Sequence, residues 1–317
     1  MFDTLRILSF LQDSLKRGRR ACLVTVTDVT GASVRNPGAH MGVSEDGISC
    51  GSLSGGCIEK AVVGEALKAI AAGAPHRIAY GAGTPIIDIR LPCGGRVDLL
   101  FTPLTEAQII DALFERLESR QLAVLALPSN AAAPQLRESG ETGWEDENFM
   151  VRHHPPLRLL VAGHGGTVEA LVRQAGALGI ACQVVSPDPD IIAALEPTNA
   201  QARLLSRLGE PLGIECDAWM AAAFFFHDHD WETDLMAEAL ASPCFYVGAM
   251  GSLATHEKRM ELLRTVGVSE SAIARIAAPI GLIPSSRDPE TLALSALVEV
   301  VDSYNAEIGA QFSRQRA

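Results

Sequence analysis

No CxxC pair occurs anywhere in this chain, and its seven cysteines are odd in number: Cys22, Cys50, Cys57, Cys93, Cys182, Cys216 and Cys244. That excludes a disulfide framework and a zinc-ribbon pattern. No apolar run approaches the ~20 residues that span a bilayer. The opening Met1-Phe2-Asp3-Thr4-Leu5-Arg6 has neither the basic stretch nor the apolar core of a secretory signal. The expected compartment is therefore the cytoplasm, where thiols stay reduced. Basic residues are in deficit, with a formal net charge of −12. Nucleic-acid and anionic-membrane surfaces are thereby disfavoured, although Arg35, Arg90 and Arg96 remain candidates for a local basic pocket. GxGxxG and the Lys-Ser/Thr of a P-loop are missing. No serine elbow or base partner is evident, and there is no internal repeat or low-complexity tract. The chain offers binding loops and thiols rather than an acid–base pair.

What is present suffices for two folded domains. At 317 residues and 48% apolar content, full cores can form without metal or disulfide. Leu5, Leu8, Leu11 and Leu15 mark an amphipathic first helix. Arg20–Thr27 reads as a strand, followed by a loop through Pro37-Gly38 and short strands around Met41 and Ile48. Further strands are expected at His76–Tyr80, Ile86–Leu91, Arg96–Phe101 and Leu122–Leu127, with a helix at Thr105–Ser119. The expected division is a first domain over residues 1–128, a linker or peripheral excursion over 129–156, and a second domain over 157–317. The Pro, Gly, Ala and Asn content of the middle segment and its closing His153-His154-Pro155-Pro156 set those limits.

The run Gly51-Ser52-Leu53-Ser54-Gly55-Gly56-Cys57-Ile58-Glu59 is the strongest local signal. A Gly/Ser loop delivers one cysteine to the expected start of a helix, Cys57 to about Ala72. Glycines let backbone N–H groups turn toward an anion, and a helix N-terminus favours a thiolate. The loop could therefore cradle a phosphate with a thiolate beside it. The alternative is a tight turn with a buried thiol. Cys93, in Pro92-Cys93-Gly94-Gly95, reads as a thiol in a turn between two strands, with or without a role.

The second domain opens with an apolar strand, the turn Gly163-His164-Gly165-Gly166 and a helix, Thr167–Leu178, then a strand at Ala181–Ser186. This βαβ start predicts a Rossmann-like, doubly wound parallel sheet. Val168 replaces the third glycine of a dinucleotide fingerprint, and Asp188 lies somewhat beyond the ~20-residue offset usual for a ribose-binding acid. A nucleotide or pterin phosphate at this edge competes with a turn that binds nothing. His227-Asp228-His229-Asp230 should follow a buried strand, Ala221–Phe226, so that His164, His227 and His229 gather at one sheet edge. Polar lining of a crevice, a metal site and a solvated loop are the alternatives there. Gly248-Ala249-Met250-Gly251-Ser252 is a second strand-to-helix turn, with Ser252 as a helix cap. Three helices are expected to close the chain, near Ser252–Thr265, Ser269–Ala277 and Pro289–Ile308.

Taken in order, these segments resemble the XdhC/CoxI family, the accessory proteins of xanthine dehydrogenase and related molybdenum hydroxylases. The first half contributes Ser33-Val34-Arg35-Asn36-Pro37-Gly38-Ala39-His40-Met41, the Gly51–Glu59 run and Cys93-Gly94-Gly95. The second contributes Gly163-His164-Gly165, His227-Asp228-His229, Tyr246–Ser252, Pro279-Ile280-Gly281-Leu282 and Ser286-Arg287-Asp288-Pro289-Glu290. The resemblance implies an α/β fold: an N-terminal XdhC/CoxI-type domain, then a Rossmann-like domain. It implies a chaperone that binds molybdenum cofactor (molybdopterin or its cytosine dinucleotide form), supports its sulfuration with a cysteine desulfurase and delivers it to an apo hydroxylase. Carried over by position, Arg35, Gly51, Ser52, Ser54, Gly55, Gly56, Cys57 and Glu59 are the foremost candidate cofactor contacts, with Cys57 the metal ligand and Cys93 next. Gly163, His164, Gly165, His227, His229, Gly248, Gly251 and Ser252 line the second candidate site, where a nucleotide would bind. Two departures stand out: Val168 occupies a position where the family commonly has a small residue, and Ser186-Pro187-Asp188-Pro189-Asp190 lacks the family's usual Arg. A homodimer is a further expectation, although spacing does not indicate one. The competing readings are an NAD(P)-linked oxidoreductase built on Gly163–Val168 and the histidines, and a scaffold joining desulfurase to hydroxylase.

Overall fold

The computed structural model describes residues 3–31, 35–84, 94–227 and 229–309. The expected strand at Ile86–Leu91, and with it Arg90 and Cys93, lies outside them. The chain forms two compact units, which divide between Pro155 and Pro156.

The first unit runs α1 (Thr4–Lys16), β1 (Ala21–Thr30), β2 (His40–Ser44), β3 (Ser49–Cys50), α2 (Glu59–Ala72), β4 (His76–Gly81), β5 (Arg96–Leu104), α3 (Gln108–Glu118), β6 (Ala123–Pro128), β7 (Gln135–Arg137), β8 (Gly143–Glu145) and β9 (Asn148–His153). One antiparallel sheet has the order β3-β2-β1-β5-β4. Alternation along β1 decides its two faces. Cys22, Val24 and Val26 face the core formed with Val62, Ala66 and Ile70 of α2. Ala21 and Leu23 face a second core with Leu8 and Leu11 of α1 and Ile110 and Leu113 of α3.

The segment 129–156 is not a linker. It folds into a second antiparallel sheet, ordered β7-β6-β9-β8. Phe149 and Val151 of β9 are buried in the α1–α3 core, and Trp144 of β8 meets Phe149 edge-on. Turn-rich composition marked the loops correctly, but it hid strands that gain most of their hydrogen bonds from β6 and β9.

The second unit runs β10 (Arg158–Gly163), α4 (Gly166–Ala177), β11 (Ala181–Ser186), α5 (Pro189–Leu195), β12 (Gln201–Leu204), β13 (Met220–Phe225), α6 (Glu232–Ala241), β14 (Tyr246–Ala249), α7 (Leu253–Thr265), α8 (Glu270–Ile273), β15 (Ile276–Ala277) and α9 (Pro289–Gly309). All strands are parallel in the order β12-β11-β10-β13-β14-β15. This is the doubly wound arrangement expected from the βαβ opening. Val168, Leu171 and Ala175 of α4 pack on one face with Ala293, Ala296 and Val300 of α9. Leu235, Met236 and Ala239 of α6 pack on the other with Leu263 of α7. The expected helix at Ser269–Ala277 is shorter, because Ile276–Ala277 joins the sheet edge beside β14. Among the described residues, no helix is long and apolar enough to cross a membrane.

Candidate functional site

Two sheet edges carry the candidate residues. In the first unit, β2 begins at His40 and β3 ends at Cys50, and the two strands are antiparallel. The loops bearing Arg35 and Gly51–Cys57 therefore leave the sheet at the same end.

The Gly51–Glu59 loop is organised around its own carboxylate. Glu59 Oε1 accepts from Ser52 Oγ (2.8 Å), Leu53 N (3.1 Å) and Ser54 N (2.9 Å). Its Oε2 accepts from Ser54 Oγ (2.8 Å) and Ile58 N (3.2 Å). Ser54 Oγ in turn accepts from Cys57 N (3.0 Å) and Ile58 N (3.1 Å), and Ser52 Oγ accepts from Gly55 N (3.1 Å). This differs from an open phosphate cradle: the N–H groups that would hold an external anion are directed inward. The network also reaches the helix start. Ile58 caps α2 without a side-chain bond of its own, and its N–H is met by Ser54 Oγ and Glu59 Oε2. Helix α2 begins at Glu59, so Cys57 lies in the loop, exposed at its outer turn. Gly55 and Gly56 have φ of +77° and +114°, with open space where a Cβ would point. Only glycine makes that turn without strain, and it leaves the Cys57 sulfur uncovered.

Partial burial pushes the Glu59 carboxyl up, but the bonds from Ser54 and Ser52 outweigh it and hold the group at about 2. Glu59→Gln is expected to lower stability by about 1–2 kcal/mol at pH 7, a figure discounted for solvent screening of a half-exposed group. Because the folded group titrates below its ordinary value of 4.5, the wild type keeps this increment above pH 4.5 and loses it as the pH falls toward 2. Urea midpoints at pH 7 that coincide for the two proteins would refute this.

Arg35 pairs with Asp3 at 2.8 Å and is half-buried. Close to it is a feature that spacing did not reveal. His40 and His153 are buried and stacked, with ring centroids 5.1 Å apart and Nε2···Nε2 at 3.3 Å. His40 Nδ1 meets Thr25 Oγ1 at 2.9 Å.

In the second unit the strand order reverses between β10 and β13, the switch point at which open α/β sheets take ligands. Gly163 ends β10 with φ +155°, and a Cβ there would stand 2.6 Å from Phe225 O. The adjacent strand thus dictates this glycine. Gly165 caps α4 with φ +83° and open space before it. The His164 and His227 rings lie 5.4 Å apart, so the switch point does bring them together. Gly248 is different. It is buried within β14, where a Cβ would meet the Tyr246 hydroxyl at 2.5 Å, so its missing side chain makes room for packing. Gly251 turns the chain with φ +132° into Ser252, whose Oγ accepts from Thr255 N at 3.2 Å as the cap of α7. Asp188 caps α5 by accepting from Asp190 N at 3.0 Å. Val168, in place of the third glycine, is fully buried between α4 and the sheet.

His229 lies near a buried ion pair that the sequence reading missed. Arg259 of α7 holds Glu232 of α6 through Nε–Oε2 (2.9 Å) and Nη2–Oε1 (3.1 Å). Arg259 Nη2 also donates to Met250 O (2.6 Å), and His229 Nδ1 lies 3.0 Å from Glu232 Oε2. Among the described residues no group of three or more His, Cys, Asp or Glu side chains could hold a metal ion.

Residues 14–81 match the model of the XdhC and CoxI family, and residues 159–300 match that of the XdhC Rossmann domain. The chain is 35% identical over 299 residues to the molybdenum cofactor insertion chaperone PaoD of Escherichia coli (strain K12), covering 94% of this chain and 88% of that protein. It is 22% identical to the uncharacterized protein YqeB of the same organism, over 89% of this chain but 43% of YqeB. A solved structure from Bacillus halodurans, described as a xanthine dehydrogenase, superposes with a TM-score of 0.75 at 19% identity, over 98% of this chain and 97% of that one, which shows a common fold. The chain belongs to the XdhC and CoxI family.

Proposed function

We propose that this protein is an accessory chaperone that takes molybdenum cofactor as cargo and delivers it to an apo molybdenum hydroxylase. The observation that carries the reading is Cys57, held exposed at the outer turn of a loop that Glu59 makes rigid. A soft sulfur in that position suits a soft metal centre or its dithiolene. The donor set favours contact through the thiol over a phosphate cradle, because Glu59 takes the N–H groups of Leu53, Ser54 and Ile58 and the serine hydroxyls take those of Gly55 and Cys57. A carrier needs capture and release rather than turnover, and the 35% identity to a cofactor insertion chaperone supports that role. The finer parts of the reading are sulfuration of the cargo with a cysteine desulfurase, the cytosine dinucleotide form, a homodimer and a cytoplasmic setting. The Rossmann-like unit, by its strand order and its Gly163–Gly165 turn, is read as the seat of a nucleotide.

The test is pterin fluorescence, measured after oxidative release from protein purified together with its client. Wild type is expected to carry near-stoichiometric pterin, and Cys57→Ser less than a tenth of it with an unchanged unfolding midpoint. Equal pterin in the two proteins would overturn the assignment of Cys57.

A further inference from the structure

We propose that the crevice at the β10–β13 switch point holds a ribonucleotide through His229, whose Nε2 accepts a hydrogen bond from a ribose hydroxyl, and that Glu232 is the positioning residue that fixes the ring for this. The inference deepens the reading of this unit as nucleotide-binding and rests on it.

The argument starts from the carboxylate. Glu232 is 1% exposed and Arg259 2%. Arg259 alone satisfies both oxygens, through Nε on Oε2 and Nη2 on Oε1. A purely structural pair would need nothing more. The third bond, from His229 at 3.0 Å, therefore serves the histidine. A carboxylate only accepts, so Nδ1 carries the proton, and in the neutral ring Nε2 is left as a lone-pair acceptor. Nε2 has no hydrogen-bond partner among the described residues, and the side chain is 19% exposed. With Nδ1–H directed to Glu232, Nε2 is the ring atom left open to a ligand beside the C-terminal edge of the sheet.

The position narrows the ligand. His229 follows β13, whose last residue, Phe225, pairs with Gly163 of β10. His164 donates its backbone N–H to Phe225 O at 3.3 Å, and its ring approaches His227. A lone-pair acceptor here does nothing for phosphate or carboxylate oxygens, which need donors. It selects a ligand that brings an O–H, and among the ligands of parallel-sheet switch points the ribose diol of a nucleotide brings one. Arg259 also donates to Met250 O, so the same buried pair links His229 to the residue just before the Gly251–Ser252 turn. The Glu232–Arg259 pair thus touches both the ring of His229 and the backbone just before the turn into α7.

The experiment is titration calorimetry of the full chain with ADP, CDP, 2′,3′-dideoxy-ADP and inorganic phosphate, paired with two-bond ¹H–¹⁵N spectra of the histidine rings. ADP or CDP is expected to bind wild type at least fivefold more tightly than the dideoxy analogue. His229→Ala is expected to lose that preference and five- to tenfold in affinity. His229→Gln, which places an amide oxygen near the Nε2 position, should recover part of it, whereas His229→Asn should not. The spectra should show the Nδ1–H tautomer in wild type and a tautomer mixture in Glu232→Gln, a readout that a merely structural role would leave unmoved. Nucleotide binding that is equal in wild type and His229→Ala, or equal for ADP and its dideoxy analogue, overturns the role of His229 while the nucleotide reading stands. No binding of either nucleotide at millimolar concentration, or phosphate binding as tight as ADP, overturns both.

Discussion

Acidification below pH 6.5 is expected to destabilise the first unit steeply, by about 4 kcal/mol from His153 alone once the pH approaches 3. Burial away from water pushes the His153 imidazole down to about 3, and neighbouring His154 adds to the effect. His40 is lowered well below its ordinary value by burial first, then by His153 and by the Arg35 guanidinium. Asp3, paired with Arg35, is the nearby anion that offsets part of that positive field. The two Nε2 atoms share one proton at 3.3 Å, one ring donating and the other accepting. Protonating either ring would leave an imidazolium in a dry core, which burial opposes for both residues. The unfolded chain binds protons near pH 6.5 and the folded one resists them. Stability is therefore complete above pH 6.5 and falls as the pH drops toward the folded value. Urea unfolding between pH 7.5 and 4.5, with hydrogen exchange of the β1 amides as the local probe, measures this. His153→Gln keeps a hydrogen bond to His40 without titrating, so it should flatten the slope by about one proton. Identical slopes in wild type and His153→Gln would refute the account.

The histidine pair also shows where sequence reading stops. His153 read as part of a Pro-rich linker, because the strands on either side are short and their partners are distant in sequence. Nothing in the pattern placed it against His40. The Rossmann-like unit was legible because its strands are continuous apolar runs punctuated by glycine turns, and a parallel sheet requires both. The Gly51–Glu59 loop was legible as a loop but not as a closed network. An acid two residues after a cysteine reads equally well as a first-turn helix residue, and only the folded loop shows five donors converging on it. The same holds for Gly248, which a motif marks as a ligand contact and packing explains by the Tyr246 ring. Short-range chemistry at loops and strand ends was readable. Contacts set by packing between distant elements were not.

Arg259 and Glu232 are the clearest such contact, 27 residues apart and joined because α6 and α7 pack on one face of the sheet. Arg259→Met is expected to cost the second unit about 3–5 kcal/mol, since it strands a buried carboxylate that had two guanidinium bonds. The loss should exceed that of any single surface pair in the chain, such as Arg264–Glu270, where solvent takes over when a partner is removed. Replacing both partners, in Glu232→Leu with Arg259→Met, removes the stranded charge and should recover most of the stability, because an apolar pair of similar volume fits the α6–α7 core about as well. What the double variant should not recover is the geometry of the edge. His229 loses the carboxylate that orients it, and Met250 O loses the donor at 2.6 Å that holds the turn into α7. Denaturant midpoints for the four proteins of the cycle, with hydrogen exchange across residues 227–231 and 250–252, separate the two effects. A single Arg259→Met variant within 1 kcal/mol of wild type would show that the pair is not desolvated as the fold places it. A double variant whose two loops stay as protected as in wild type would show that the pair holds the core and leaves the edge to other contacts.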